Sequence, residues 1–148
     1  MKLEIRHLAP YLSYKLKAIN CLNDVTEIIG LQYGNESCNN ELWTFVKNKN
    51  YLSAYLYECK PILFPLSSLT KEITIDGESF IPIREIKNLE LFSHYELEDF
   101  VRNNFTYGYI ESLSYQLLSQ LFEWKFDVFG LIEKGLAEPV TEELNPYK

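Results

Sequence analysis

The chain has 148 residues, of which 47% are hydrophobic and 15% aromatic, and its net charge is −7. This length and composition exclude a wholly disordered chain and indicate one domain with a sizeable core. Residues 1–72 carry eight Lys or Arg against seven Asp or Glu, whereas residues 73–148 carry six against fourteen. The acidic second half is therefore unsuited to nucleic acid, and it suits either a basic partner or a surface kept soluble by charge.

The cysteines and the lengths of the apolar runs indicate in which cellular compartment the protein acts. Cys21, Cys38 and Cys59 are odd in number and form no Cys-x-x-Cys pair, so we expect reduced thiols and neither a zinc site nor a redox pair. The N-terminus has no apolar run of signal-peptide length, and no run reaches membrane-spanning length. We therefore expect a cytoplasmic protein that does not enter a membrane.

Short strands are predicted for the first part of the chain. Turn residues separate the apolar runs at 12–19, 25–33, 42–46 and 51–58. In the first run, alternation puts Leu16 and Ala18 on one face and Lys15 and Lys17 on the other.

Prolines and serines mark the end of this strand-rich stretch. Pro61 and Pro65 suit the edge of a sheet, because proline cannot donate to a strand ladder. Ser67 or Ser68 suits the cap of a short helical turn.

A β-hairpin is predicted over residues 73–83. Asp76-Gly77 is a preferred two-residue turn between alternating segments, and Pro82 suits an edge position on the returning strand. Several short strands at this spacing imply a small, curved antiparallel sheet or partial barrel.

After about residue 90, the apolar residues recur at the spacing of a helix rather than at that of a strand. A helix is predicted over 95–103, with Ser93 as its cap, and a second is predicted from apolar residues at three-and-four spacing between Ile110 and Phe122. We therefore expect a single α+β domain over 1–148, with a strand-rich, barrel-like part at 1–88 and two or three packed helices at 89–148.

The run from Leu121 to Ala137 combines an aromatic cluster with two helix-end signals. Asp127 suits an N-cap, with Phe126 packing on Leu131 as a hydrophobic staple. Gly135 suits C′, with Leu136 packing back on Leu131. These signals predict a short helix over 128–134, or a continuation of the preceding helix through Asp127. The aromatics expected to seat it on the sheet are Phe122, Trp124 and Phe129.

Catalytic and cofactor signatures are absent from the sequence. His7 lies near a turn, where a structural hydrogen bond is expected, and His94 lies beside acidic residues that do not converge on one helix face. No nucleophile elbow, phosphate-binding glycine loop or metal-ligand spacing occurs. We expect a non-enzymatic protein without a cofactor or metal, and an enzyme with a dispersed site remains an alternative.

Two sets of charged residues are candidate binding surfaces. The first is a basic patch for nucleic acid in the strand-rich half, formed by Lys15, Lys17, Lys47, Lys49 and Lys60. The second is an acidic display for a protein partner, formed by Glu90, Glu96, Glu98, Asp99 and Glu111. Edge-protecting lysines and solvated helix faces are the simpler interpretations of the two sets.

Several segments in order resemble a family of small proteins encoded in prophages and mobile elements of gut anaerobes. The matching segments are 7–12, 14–17, 60–73, the hairpin end 80–83, and the run 126–137. The resemblance implies a phage-derived accessory protein in the bacterial cytoplasm, and it brings no activity or site residue with it. Because the recurrent segments include both ends of the chain, Tyr11 and Tyr14 are expected to pack against the C-terminal helix.

These observations favour a phage-derived accessory protein that binds a host or phage protein. A nucleic-acid-binding module that uses the strand-rich half is the alternative.

Overall fold

The computed structural model describes residues 2–33, 41–47, 50–89 and 113–148, and in them a six-stranded sheet and a hairpin pack with helices. The fold class is therefore α+β, as predicted. The strands are β1 Lys17–Asn20, β2 Val25–Tyr33, β3 Glu41–Lys47, β4 Asn50–Tyr55, β5 Cys59–Leu63, β6 Ile73–Ile75, β7 Glu78–Phe80 and β8 Glu138–Pro139. The α-helices are α1 Ile5–Leu8, α2 Pro82–Asn88 and α3 Tyr115–Glu123, and short 3-10 helices cover Ala9–Tyr14, Leu56–Glu58 and Leu66–Thr70. The helix predicted at 95–103 lies outside the described residues.

The large sheet is open and mixed, so the predicted antiparallel, barrel-like sheet is wrong. Its strand order is β4-β3-β2-β1-β5-β8, with β4 and β8 at opposite ends. Every neighbouring pair is antiparallel except β5 and β8, which run parallel. A parallel neighbour needs a long crossover, and here the C-terminal part of the chain supplies β8 to the N-terminal sheet.

The first strand begins later than the sequence predicts. Residues 9–14 form a 3-10 helix with Pro10 near its start, and Lys15 ends it with a left-handed φ of 57°. Leu16 and Ala18 are buried, as predicted. Lys15 does not share a strand face with Lys17, because β1 starts only at Lys17.

Pro61 lies inside the sheet, contrary to the predicted edge position. It pairs with Ala18 of β1, while β8 meets β5 only at Ile62 and Leu63. The missing N–H of Pro61 is tolerated because β8 begins beyond it. The helical turn expected after it forms at Leu66–Thr70, but its N-cap is Pro65 rather than a serine.

The predicted hairpin is confirmed. Ile73 pairs with Phe80 and Ile75 with Glu78, around Asp76 and Gly77, whose φ values are 50° and 84°. Two central residues with positive φ are what a two-residue hairpin turn of the right twist requires. Pro82 does not lie on the returning strand, because it occupies the first turn of α2, where a missing N–H carries no penalty.

The amphipathic helix before the aromatic run is confirmed over the described residues 115–123. Leu117 and Leu121 are fully buried, as their spacing predicts. The helix begins at a cap that the sequence analysis did not identify: the Ser114 hydroxyl accepts a hydrogen bond from the Leu117 amide at 3.4 Å.

The end signals at Gly135 are confirmed, although residues 128–134 form turns rather than an α-helix. The Leu136 amide donates to the Leu131 carbonyl at 2.8 Å, and the Gly135 amide donates to the Ile132 carbonyl at 3.0 Å. Together with a φ of 69° at Gly135, these bonds form a Schellman motif. Leu131 is fully buried, as predicted.

Asp127 organises the same turn from its other end. Its carboxylate accepts hydrogen bonds from the amides of Leu131 at 2.8 Å and Ile132 at 2.9 Å. An N-cap accepts from the amides two or three residues onward, whereas these donors lie four and five residues onward. Gly130, with a φ of 67°, turns the chain between Asp127 and these two amides. The staple predicted from Phe126 to Leu131 is wrong, since the two side chains belong to different core clusters.

The buried residues form two core clusters, and the segment that follows α3 contributes to both. One contains Phe64, Phe126 and Tyr147, and the other contains Tyr11, Trp43 and Leu131. Phe122 packs against both clusters. The Leu121–Ala137 run therefore lies where the hairpin, the sheet and both ends of the described chain meet.

Candidate functional site

Two exposed tyrosines stand side by side where β4 passes into β5. Leu56, between them, is buried, so the side chains of Tyr55 and Tyr57 point outward. Their rings stack with centroids 5.1 Å apart and planes 10° apart. Tyr57 is 66% exposed and Tyr55 36% exposed. A stacked and accessible aromatic pair presents a large, pre-ordered apolar surface to a partner.

Glu58 adds a negative charge to this pair. Its carboxylate accepts a hydrogen bond from the Tyr55 amide at 2.9 Å, which fixes it beneath the turn. The pKa of the Tyr57 phenol is raised, first by loss of water around the stacked ring and then by the charges of Glu58 and Tyr55. Like an ordinary tyrosine, Tyr57 is protonated at neutral pH and can donate a hydrogen bond.

A cavity of about 380 Å³ opens beside Tyr57. Its walls come from the end of β1, the start of β5 and the C-terminal segment. The lining residues are Ile19, Asn20, Cys21, Asn23, Tyr57, Glu58, Cys59, Lys60, Glu138 and Leu144. The volume lies in the range of natural ligand pockets, and the wall mixes apolar side chains with amides and charges.

The β1–β2 turn forms one rim of this cavity, and Asn20 holds it. The Asn20 side-chain oxygen accepts hydrogen bonds from the amides of Leu22 at 2.8 Å and Asp24 at 2.9 Å. Asn23 takes a φ of 63°, a conformation that asparagine tolerates better than most residues. The turn leaves Leu22, between two lining residues, 73% exposed.

A second cavity, of about 310 Å³, shares three lining residues with the first: Tyr57, Cys59 and Lys60. The rest of its wall comes from Leu56, from the N-terminus and from the Schellman turn at Gly135 and Leu136. We call the exposed residues Leu22, Tyr55 and Tyr57, with these two cavities, the Tyr57 surface.

The two described cysteines at the Tyr57 surface differ in chemistry. Cys59 is buried and its thiol contacts the Leu56 carbonyl oxygen at 3.6 Å. Burial, reinforced by the charge of Glu58, raises the pKa of Cys59 to about 12, so its thiolate does not form near neutral pH. Cys21 is exposed on the rim.

The predicted basic patch is neutralised at the lysines that β1 and β5 carry. Lys17 pairs with Glu27 and Lys60 pairs with Glu138, each at 2.7 Å. Lys15 is exposed at the end of the 3-10 helix. Lys47 ends β3 and its side chain is not described, and Lys49 lies outside the described residues. The structure thus brings together no continuous basic face from the lysines that it describes.

The predicted acidic display falls outside the part of the chain that the structure describes. This holds for all five of its members, Glu90, Glu96, Glu98, Asp99 and Glu111, and for His94. His7 is described, and its Nδ1 accepts a hydrogen bond from the Glu4 amide at 3.0 Å, as its predicted structural role requires. Within the described ranges no three His, Cys, Asp or Glu side chains are grouped to hold a metal.

Sequence reasoning missed the tyrosine pair. The available signal was the alternation Tyr55-Leu56-Tyr57, which puts both rings opposite a buried leucine. The strand assigned to residues 51–58 concealed it, because the chain leaves the ladder after Tyr55.

Comparisons with known proteins give no assignment. No protein-family model matches the chain, and no curated protein and no solved structure matches it significantly. Among the described helices none is both long enough and apolar enough to span a bilayer.

Proposed function

We propose that this chain is a non-enzymatic accessory protein of phage origin that acts by binding another protein through the Tyr57 surface. The observation that carries the proposal is the stacked pair of Tyr55 and Tyr57, exposed between two cavities. Tyrosine is enriched among the residues that dominate protein interfaces, especially beside pockets that a partner side chain can fill.

The charges around the pair favour a protein over nucleic acid. Across the two cavities Glu58 and Glu138 balance Lys2 and Lys60, so the walls carry no net positive charge. Nucleic-acid binding needs unpaired cations that replace counterions along the phosphates. Here Lys17 and Lys60 are already paired with carboxylates.

The phage origin and the bacterial cytoplasm as the place of action are supported by the resemblance of the segments at 7–12, 14–17, 60–73, 80–83 and 126–137. A host or a phage protein is accordingly the proposed partner.

Affinity capture from bacterial lysate, read by mass spectrometry, tests the proposal. Tyr57→Ala removes the more exposed ring, and Tyr115→Ala is the matched control, because Tyr115 is 84% exposed and lines neither cavity. We expect a captured protein that Tyr57→Ala loses and Tyr115→Ala retains. Equal capture by both variants would contradict the proposal.

The nucleic-acid module remains the second candidate, resting on Lys15 and on the exposed tyrosines. Fluorescence anisotropy with labelled single-stranded DNA at low salt decides it. Binding that weakens steeply with added salt would support this candidate, and no binding at low salt would remove it.

A further inference from the structure

A third cavity lies away from the Tyr57 surface and has a different chemistry. Its volume is about 360 Å³, and it is lined by Glu78, Ser79, Phe80, Glu85 and Trp124. None of these residues lines either cavity of the Tyr57 surface. We call this cavity the Trp124 cleft.

Two aromatic rings form part of the wall. Phe80 and Trp124 have ring centroids 5.1 Å apart and planes inclined at 50°. Both side chains pack on the core yet remain partly accessible. The face of tryptophan is the strongest aromatic partner for an organic cation, because the ring quadrupole attracts positive charge.

Two carboxylates complete the wall. Glu78 lies two residues before Phe80 on β7, so the two side chains leave the strand on the same face. Glu85 comes from α2 and is half-buried. Among the described residues no lysine or arginine lines the cleft, and those that do line it carry two negative charges.

Rigid elements hold these groups in place. The Asp76-Gly77 turn fixes Glu78 and Phe80, and a hydrogen bond between the Thr74 and Ser79 hydroxyls at 2.8 Å ties the hairpin strands. Trp124 follows α3 directly, and its amide donates to the Gln120 carbonyl at 3.0 Å. The cleft is therefore formed before any ligand arrives, which lowers the ordering cost of binding.

We propose that the Trp124 cleft binds an arginine side chain of a protein partner. The guanidinium stacks on Trp124, and its edge donates to the carboxylates of Glu78 and Glu85. A planar, weakly hydrated guanidinium with several donors suits this wall of aromatic faces and carboxylates better than the compact ammonium of lysine. The net acidic charge of residues 73–148, which include all the residues that line the cleft, attracts a basic segment.

Nuclear magnetic resonance of the two tryptophan indole N–H groups tests this proposal with acetyl-arginine-amide as the probe. Trp124 reports on the cleft. Trp43 is the internal control, because it is buried and its indole N–H donates to the Tyr55 carbonyl at 3.1 Å. We expect a saturable shift of the Trp124 resonance, an unmoved Trp43 resonance, and no shift with the neutral isostere acetyl-citrulline-amide.

Glutamate-to-glutamine variants inside and outside the cleft distinguish the proposed contacts from a general effect of net charge. Glu85→Gln and Glu78→Gln should each lower the affinity for the arginine probe about two- to fivefold, as expected for a partly exposed ion pair. Glu133→Gln, on an exposed turn outside the cleft, should leave the affinity unchanged. An unmoved Trp43 resonance in each variant shows that the core cluster around Trp43 is intact.

Three results would overturn the proposal: equal shifts with the citrulline probe, a Trp124 resonance that does not respond to the arginine probe, or unchanged affinity in both glutamate variants. A stronger response to acetyl-lysine-amide with a free ε-amine would overturn the choice of arginine. Because the test does not involve Tyr57, its outcome is independent of the protein-capture experiment.

Discussion

The phenol of Tyr11 donates a hydrogen bond to the carbonyl oxygen of Phe126 at 2.7 Å across 115 residues of chain. The Tyr11 phenol oxygen in turn accepts from the Val128 amide at 3.3 Å, and the Tyr11 ring packs edge-on against Phe122 with centroids 4.9 Å apart. Tyr11 thus packs against the C-terminal run as expected, although residues 128–134 of that run form turns rather than the predicted helix. This contact fastens the segment after α3 to the first elements of the chain.

Tyr11→Phe keeps the ring and removes only the hydroxyl. We expect a loss of about 1–3 kcal/mol in the free energy of unfolding, because the Phe126 carbonyl and the Val128 amide lose a buried partner. Urea denaturation measures it, with the exposed Tyr115→Phe as the control. An unchanged denaturation midpoint would show that water replaces the hydroxyl at no cost.

Leu131→Ala tests the burial that the Schellman turn produces. Leu131 is fully buried among the N-terminal cluster, so the variant should lose about 2–5 kcal/mol. Leu22→Ala is the matched control, because Leu22 is mostly exposed and should change stability by less than about 0.5 kcal/mol. Equal denaturation midpoints for the two variants would refute the packing role of Leu131.

Gly135→Ala isolates backbone strain from packing. A Cβ at this position meets no atom within 4 Å, so only the φ of 69° opposes the substitution. The left-handed conformation should cost alanine about 1–2 kcal/mol, and Gly135→Asn should cost less, because asparagine tolerates it. Thermal unfolding ranks the three chains, and an alanine variant as stable as the wild type would contradict the left-handed assignment.

Cysteine reactivity follows from the difference between Cys59 and Cys21. At pH 8 the exposed Cys21 should react with iodoacetamide within minutes, whereas the Cys59 thiol, with its pKa raised to about 12, should react only after denaturation. Peptide mapping by mass spectrometry reads each cysteine separately. Rapid labelling of Cys59 in the folded chain would disprove its burial.

The same thiol has a consequence for stability at alkaline pH. The folded-state pKa of about 12 lies above the ordinary value of 9.0, so the folded chain holds the proton that the unfolded chain releases. This contribution to stability is fully present below about pH 9 and is lost as the pH rises toward 12. Denaturation of Cys59→Ala should show a weaker fall in stability between these pH values than the wild type.

Local signals in the sequence predicted the features that depend on near neighbours. Asp76-Gly77 and the Leu131–Gly135 turn were predictable because positive φ and capping are decided within a few residues. The start of β1 was not, because Pro10 and the long-range bond of Tyr11 favour a 3-10 helix over a strand that extends from Leu12.

The candidate sites depend on distant contacts, which a single sequence does not reveal. Lys60 looks free in the sequence, yet the parallel pairing of β8 brings Glu138 to it. The exposure of Tyr57 follows from the burial of Leu56 against the core, and the Trp124 cleft follows from a hairpin that meets the end of α3. Tertiary contacts between distant parts of the chain decide all three.

The affinity of a captured partner for Tyr57→Ala, measured by biolayer interferometry beside wild type and Tyr115→Ala, tests the central claim most directly. Loss of a central interface tyrosine costs about 2 kcal/mol or more, so Tyr57→Ala should bind about thirtyfold or more weakly, while Tyr115→Ala should bind as the wild type does. Wild-type affinity in Tyr57→Ala would contradict the proposal that the chain acts through the Tyr57 surface.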